Sequence, residues 1–174
     1  MAHDGRLAEP AAEIPGARTA WALSLAGALP FAAAALFTLV AGRESLWFDW
    51  AVDVARTYGA VILSFVAGIR WGAALRGRPR AFAVPDHASG RIFALSTVPS
   101  LVGWLSLFME PVFGLPLLAA AFAVQGAWDA FSGPSTFGSA ADGRDALPLW
   151  FVRMRVTITF IVVVCLLVTV VAVS

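Results

Sequence analysis

The sequence predicts an all-α integral membrane protein, a bundle of five transmembrane helices. Three observations carry that prediction. The chain of 174 residues is 60% hydrophobic and 13% charged, against about 25% charged in a typical globular protein. A water-soluble fold this small lacks the interior to hide so much apolar surface. The apolar residues fall in continuous runs near the roughly 20 residues needed to cross hydrocarbon, not in the short alternating segments of a β-barrel.

Residues 1–18, MAHDGRLAEPAAEIPGAR, mix charge, proline and alanine and precede any apolar run. They read as a flexible tail with no convincing cleavage site, leaving 19–174 as one transmembrane domain. The first span covers about 20–41, with Pro30 placed to kink it. Residues 43–56, RESLWFDWAVDVAR, put Trp47, Trp50, Ala51 and Val54 at helical spacing. They form either a short interfacial helix or an extension of the second span. That span covers about 57–75. A third follows at about 92–109, with Pro99 at its centre. The fourth, about 114–131, carries Pro116 in its predicted first turn. Only Glu110-Pro111 and a few neighbours separate these two, so they form an antiparallel hairpin. The fifth, about 151–173, is the most apolar run.

Arginine placement orients the bundle. All twelve basic residues are arginine. Five spans put nine of them (Arg6, Arg18, Arg76, Arg78, Arg80, Arg91, Arg144, Arg153 and Arg155) on the side of the N-terminus. Arg43 and Arg56 fall on the other side, and Arg70 within a span. Basic residues concentrate on the cytoplasmic face, so the N-terminus is cytoplasmic. Tryptophans 21, 47, 50, 71, 128 and 150 lie near span ends, where amphipathic rings favour the interface. Trp104 lies nearer mid-span, a position that predicts packing against another helix.

Ionisable groups within the spans are the candidate binding residues. Arg70 lies about 6 Å past the middle of the second span. Gln125 and Asp129, four apart on the fourth span, share a face. Arg155 opens the fifth. The topology puts Arg70, Asp129 and Arg155 in one layer, where pairing would make the charges tolerable. The competing reading for each arginine is a guanidinium lifted to the headgroups. The second span also carries Ala60, Ser64, Gly68 and Gly72 at every fourth position, a pattern that lets helix backbones approach closely. Arg70 points away from that stripe. With two faces occupied, the second span is the candidate centre of the bundle.

The pattern excludes much else. One cysteine, Cys165, rules out an intrachain disulfide and a cysteine-based metal cluster. His3 and His87 have no metal-ligand partner at usable spacing. Asp86-His87 with Ser89 resembles a fragment of a catalytic triad, but adjacent loop residues rarely form one. No phosphate-binding glycine motif occurs. We expect no catalytic residues, no cofactor, no metal and no nucleic-acid partner. The expected partners are the bilayer, including anionic headgroups near the arginines, and a second membrane protein or another copy of this chain.

Four stretches together resemble a known family. They are LAGALPF in the first span, YGAVILSFVAGIRWG in the second, STVPSLVGWLSL in the third and WFVRMRVTITF opening the fifth. They resemble the small polytopic membrane proteins of unknown function that include transmembrane protein 69. The resemblance covers most of the chain outside the tail and the two arginine-side loops, and the second-span motif is the most specific. In that family the position of Arg70 is often histidine. Arginine keeps the charge but does not titrate near neutral pH, which speaks against a proton relay. The resemblance implies a bacterial or mitochondrial inner membrane and no specific activity. Of the functions open to the sequence, a non-enzymatic assembly or partner-binding protein is favoured. The alternative is a small, oligomeric transporter or channel for an anionic or small solute, prompted by the two central prolines and the intramembrane arginine. An intramembrane enzyme is the least supported.

Overall fold

A computed structural model describes residues 16–76, 87–136 and 149–174, with side chains for 16–72, 93–131 and 150–174. Five α-helices account for the described chain: α1 (Ala17–Val40), α2 (Leu46–Arg76), α3 (His87–Ser106), α4 (Pro111–Thr136) and α5 (Leu149–Val173). Among the described residues there is no strand. Four helices are long and apolar enough to cross a membrane: Ala17–Val40, Leu46–Gly72, Pro111–Phe131 and Trp150–Val173. In α3 the apolar stretch is shorter, Phe93–Ser106, although its 20 residues span about 30 Å. The predicted tail lies outside the described residues up to residue 15, and helix begins at Ala17.

The two short connections are built from local chemistry. After α1, Gly42 adopts φ 69°, the left-handed conformation that ends many helices. Ser45 then caps α2, its Oγ accepting from the Trp47 amide at 3.2 Å. Between α3 and α4, the amides of Phe113 and Gly114 bond the Glu110 carbonyl at 2.9 and 2.8 Å. Pro111 takes the first position of α4, where a missing N–H has no consequence. Pro116 therefore sits beyond the first turn, because α4 starts three residues earlier than the sequence suggested.

Residues 46–56 are the beginning of α2, not a separate interfacial helix. The residues grouped there by helical spacing divide between two sides. Trp47 and Trp50 are exposed, and Phe48, Ala51, Val52 and Ala55 point inward. Pro30 and Pro99 lie inside unbroken helices, which removes the broken-span argument for a transporter.

Helix α2 touches every other helix, so it does form the centre of the bundle. The core gathers Phe31, Phe48, Leu63, Leu115, Leu118, Phe122, Val162 and Leu166. The aromatic Phe31 packs on Tyr58 and meets Phe122 edge-on. The Tyr58 hydroxyl donates to the Gly27 carbonyl at 3.0 Å, joining α2 to α1. Backbones come closest at glycines. A Cβ on Gly103 would lie 3.3 Å from the Ala60 Cα, and one on Gly126 would lie 2.5 Å from Thr159 Cγ2. The α2–α3 contact thus uses Ala60 of the predicted small-residue stripe, and Ser64 is half-buried. Gly68 and Gly72, by contrast, are exposed and have open space where a side chain would go. Their assignment to helix packing is corrected. Steps of four residues on a 3.6-residue helix rotate about 40° each, so the stripe leaves the α3 contact before Gly68. Trp104 is likewise exposed and stacks on Phe108, in the turn that follows α3, not on a neighbouring helix.

Candidate functional site

The inward face of α2 runs through Arg56, Leu63 and Arg70, spaced seven residues apart and all buried. Seven residues are close to two helical turns, so the three project from nearly one side. The two arginines lie about 21 Å apart along the axis, on either side of Leu63.

At the Arg70 end, three helices converge on one carboxylate. Asp129 of α4 receives Arg70 Nε on Oδ1 at 3.0 Å. Gln125, one turn earlier on α4, donates its side-chain amide to the same oxygen at 3.1 Å. Arg155 of α5 donates to Oδ2 from Nη2 at 2.7 Å and from Nε at 3.2 Å. Each carboxylate oxygen accepts two hydrogen bonds, filling the roughly four acceptor positions of an ionised carboxylate. The Arg70 side chain is 2% exposed, Asp129 11% and Arg155 10%. The Arg70 guanidinium also lies 3.9 Å from the ring centroid of Trp128, a cation–π contact. Trp128, three residues before the end of the Pro111–Phe131 span, stacks on this buried charge.

The sequence placed Arg70, Asp129 and Arg155 in one layer and Gln125 on the same face as Asp129, and the geometry brings the four side chains together. The two facts behind that reading are the common depth set by the topology and the i, i+4 spacing on α4. Arg155 turns inward to Asp129. Two residues earlier, Arg153 faces outward and is exposed. The Asp86–His87–Ser89 triad fragment and the Arg76 and Arg91 side chains lie outside the described residues.

At the other end stands a residue that sequence reasoning missed. Arg56, counted only as an orienting charge, is buried. Its Nη2 donates to the carbonyls of Ser106 at 2.9 Å, Leu107 at 3.0 Å and Met109. These are the orphan carbonyls at the C-terminus of α3 and in the turn to α4, where a cation also meets the negative end of the helix dipole. Asp53, itself exposed, lies 3.7 Å from Nη1. Gly114 makes room, since a Cβ there would press on the Ser106 carbonyl and the Arg56 guanidinium. The available signal was the 14-residue spacing from Arg70, visible once 46–56 is read as part of the same helix.

Among the described residues, no group of three or more His, Cys, Asp or Glu is arranged to hold a metal. The arrangement can bind helices to one another through desolvated charge. It describes a polytopic helical membrane protein with a buried arginine–aspartate–arginine clasp.

The chain belongs to the family described as protein of unknown function DUF3429, whose model matches residues 16–171. It is similar to transmembrane protein 69 of Xenopus tropicalis, with 35% identity over 92 residues. That match covers 51% of this chain and 32% of the relative, so the matched part is about a third of the frog protein's length. No solved structure matches. The expected family is therefore the correct one. The matched family motifs also meet in space: LAGALPF supplies the Gly27 carbonyl for Tyr58 of the second stretch, and STVPSLVGWLSL supplies Gly103 against Ala60.

Proposed function

We propose that this chain is a non-enzymatic assembly or partner-binding protein of a bacterial or mitochondrial inner membrane. It spans five times, with its N-terminus on the cytoplasmic or matrix side. One observation carries the reading: Asp129 has every acceptor position filled by side chains of its own chain, from α2, α4 and α5. A carboxylate meant to move a proton or meet a solute needs an open lone pair. A carboxylate meant to lock helices does not. The unbroken α1 and α3 support the same reading over a transporter built on discontinuous helices.

The clasp is tested by a double-mutant cycle. Arg70→Gln and Asp129→Asn each lower the detergent-solubilised, folded fraction, and the double variant loses less than the sum of the two. An additive double variant removes the coupling of Arg70 to Asp129 from the argument. The assembly role is tested by blue-native electrophoresis of tagged chain extracted in mild detergent. The chain is expected in a defined larger complex. Migration as a bare monomer, together with solute uptake by vesicles containing only this chain, would transfer the assignment to transport. Reporter fusions at the two termini test the orientation, with the N-terminal one inside and the C-terminal one outside.

A further inference from the structure

Helices α4 and α5 leave an apolar groove on the outer face of the bundle, with a volume of about 330 Å³. Its origin is visible in the side chains. Gly126 brings the two helices together at Thr159, and Ala123, Ala127 and Ala130 are too small to fill the space beside that contact. Phe131 and Phe160 line the groove and project outward, 83% and 69% exposed. On α5 the groove runs from Val163 to Val156, about 10 Å along the axis.

One turn further, on the same face as Val156 and Phe160, stands Arg153. It is exposed, and among the described residues it has no hydrogen bond or ion pair. Its neighbour Arg155 turns inward to Asp129, so the two arginines of this turn have separate tasks. From Val163 to Arg153 is about 15 Å, half of a hydrocarbon core about 30 Å thick. The groove and its arginine therefore match the length of a single leaflet.

We infer that the α4–α5 groove is a site for an anionic glycerophospholipid, with one acyl chain along the groove and the phosphate at Arg153. The occupant follows from shape and charge. The volume is at the small end for ligand sites and suits a chain segment. A second copy's helix would have to bring its backbone past the projecting Phe131 and Phe160 rings. A bare guanidinium at the groove's end calls for an anion at headgroup depth. The inference does not rest on the assembly reading, because neither Arg153 nor the groove residues take part in the clasp.

The test is native mass spectrometry of the full chain in detergent, titrated separately with dioleoyl phosphatidylglycerol and dioleoyl phosphatidylcholine. The wild type is expected to retain one phosphatidylglycerol in preference to phosphatidylcholine. Arg153→Gln, at an exposed position, lowers phosphatidylglycerol retention about fivefold, as expected for one arginine near a charged headgroup, and lowers phosphatidylcholine retention less, because choline already offsets that lipid's phosphate. Ala127→Phe, an exposed position on the groove floor, lowers retention of both lipids while circular dichroism keeps the same helicity. Ala123→Leu repeats that test should the phenylalanine variant fold poorly. Equal phosphatidylglycerol retention by wild type and Arg153→Gln overturns the headgroup assignment. Unchanged lipid binding in both filled-groove variants overturns the site itself. If a wild-type dimer instead separates on filling the groove, the occupant is a second copy and the lipid proposal is wrong.

Discussion

Two arginines on one face of α2 meet burial in different ways. Arg56 is held mainly by peptide dipoles: three backbone carbonyls at the end of α3 and in the following turn share the hydrogens of its Nη2, with the exposed Asp53 at 3.7 Å. Arg70 is neutralised by a formal charge, the Asp129 carboxylate, which Arg155 also shares. The first arrangement needs one side chain and an existing helix end. The second needs matching charges from three helices, and each member depends on the others. Loss of one partner in such a cluster strands a buried charge. Loss of Arg56 leaves carbonyls without their donor but leaves no buried charge unpaired, since Asp53 is exposed. One helix thus has a more forgiving site at Arg56 and a less forgiving one at Arg70.

The difference can be tested directly by removing one partner at each end. Asp129→Ala takes the shared carboxylate from two buried guanidiniums, a change of about 3–5 kcal/mol in comparable buried pairs. It should produce the largest fall in thermal midpoint or in steric-trapping stability of any single substitution in the bundle. Adding Arg70→Gln to Asp129→Ala should return part of that loss. If the double variant is no better than Asp129→Ala alone, the clasp is not electrostatically coupled. Arg56→Ala should lose about 1.5–3 kcal/mol, the range for hydrogen bonds to a charged group. Its effect should concentrate at the α3–α4 turn, seen as faster amide exchange of residues 107–110. Equal losses at the two arginine sites would erase the distinction drawn between them.

How much of this was legible in the sequence depended on whether the helix bounds were right. Arg70, Gln125, Asp129 and Arg155 could be brought together from sequence alone, because a membrane fixes depth and an i, i+4 pair fixes a face. The same arithmetic would have found Arg56. It failed because Asp49, Asp53 and Arg56 made residues 43–56 look too polar for a span, although Asp53 is exposed and Arg56 points inward. The charge count over a segment hides which side each charge occupies. Lengths were read less well than positions: α2 has 31 residues where the sequence suggested a span of about 19. The membrane-spanning character and the family followed from composition and motifs. The α4–α5 groove did not, since an absence of side-chain volume between two helices has no periodicity of its own.

The α4–α5 contact offers a sharper version of the comparison, because it underlies both the clasp and the groove. Gly126 lies one residue past Gln125 and three before Asp129. A methyl there would meet Thr159 at Cγ2, Oγ1 and Cβ, at 2.5, 2.7 and 2.9 Å. A β-branched side chain in a helix has little rotamer freedom to move away, and its Cβ cannot move at all without the backbone. Gly126→Ala should therefore push α5 from α4 and lose about 1–3 kcal/mol, less than Asp129→Ala. Thr159→Ala in the same chain removes Cγ2 and Oγ1 and should recover part of it, the remainder reflecting the residue-159 Cβ still 2.9 Å from the added methyl. Partial recovery would show that the close approach serves packing. No recovery would mean that Gly126 matters for the backbone geometry that aims Gln125 and Asp129.

The smallest expected effect separates the two glycines whose packing role is corrected here. Gly68 and Gly72 lie on the exposed side of α2, with nothing within 4 Å of an added Cβ. Alanine at either position meets no neighbour and reduces the backbone freedom that a helical glycine must lose on folding, a gain of about 0.5–1 kcal/mol. Both substitutions should leave the thermal midpoint unchanged or slightly raised, in contrast to Gly126→Ala. The opposite sign carries information. A loss at Gly68 or Gly72 in membranes, absent when the chain is monomeric in detergent, would mean that another helix lies against this face. Among the described residues α1, α3, α4 and α5 leave the positions open, so a partner's helix is the reading such a loss would support. The pair of measurements therefore decides whether the small residues of α2 serve one contact, the internal one at Ala60, or a second with an assembly partner.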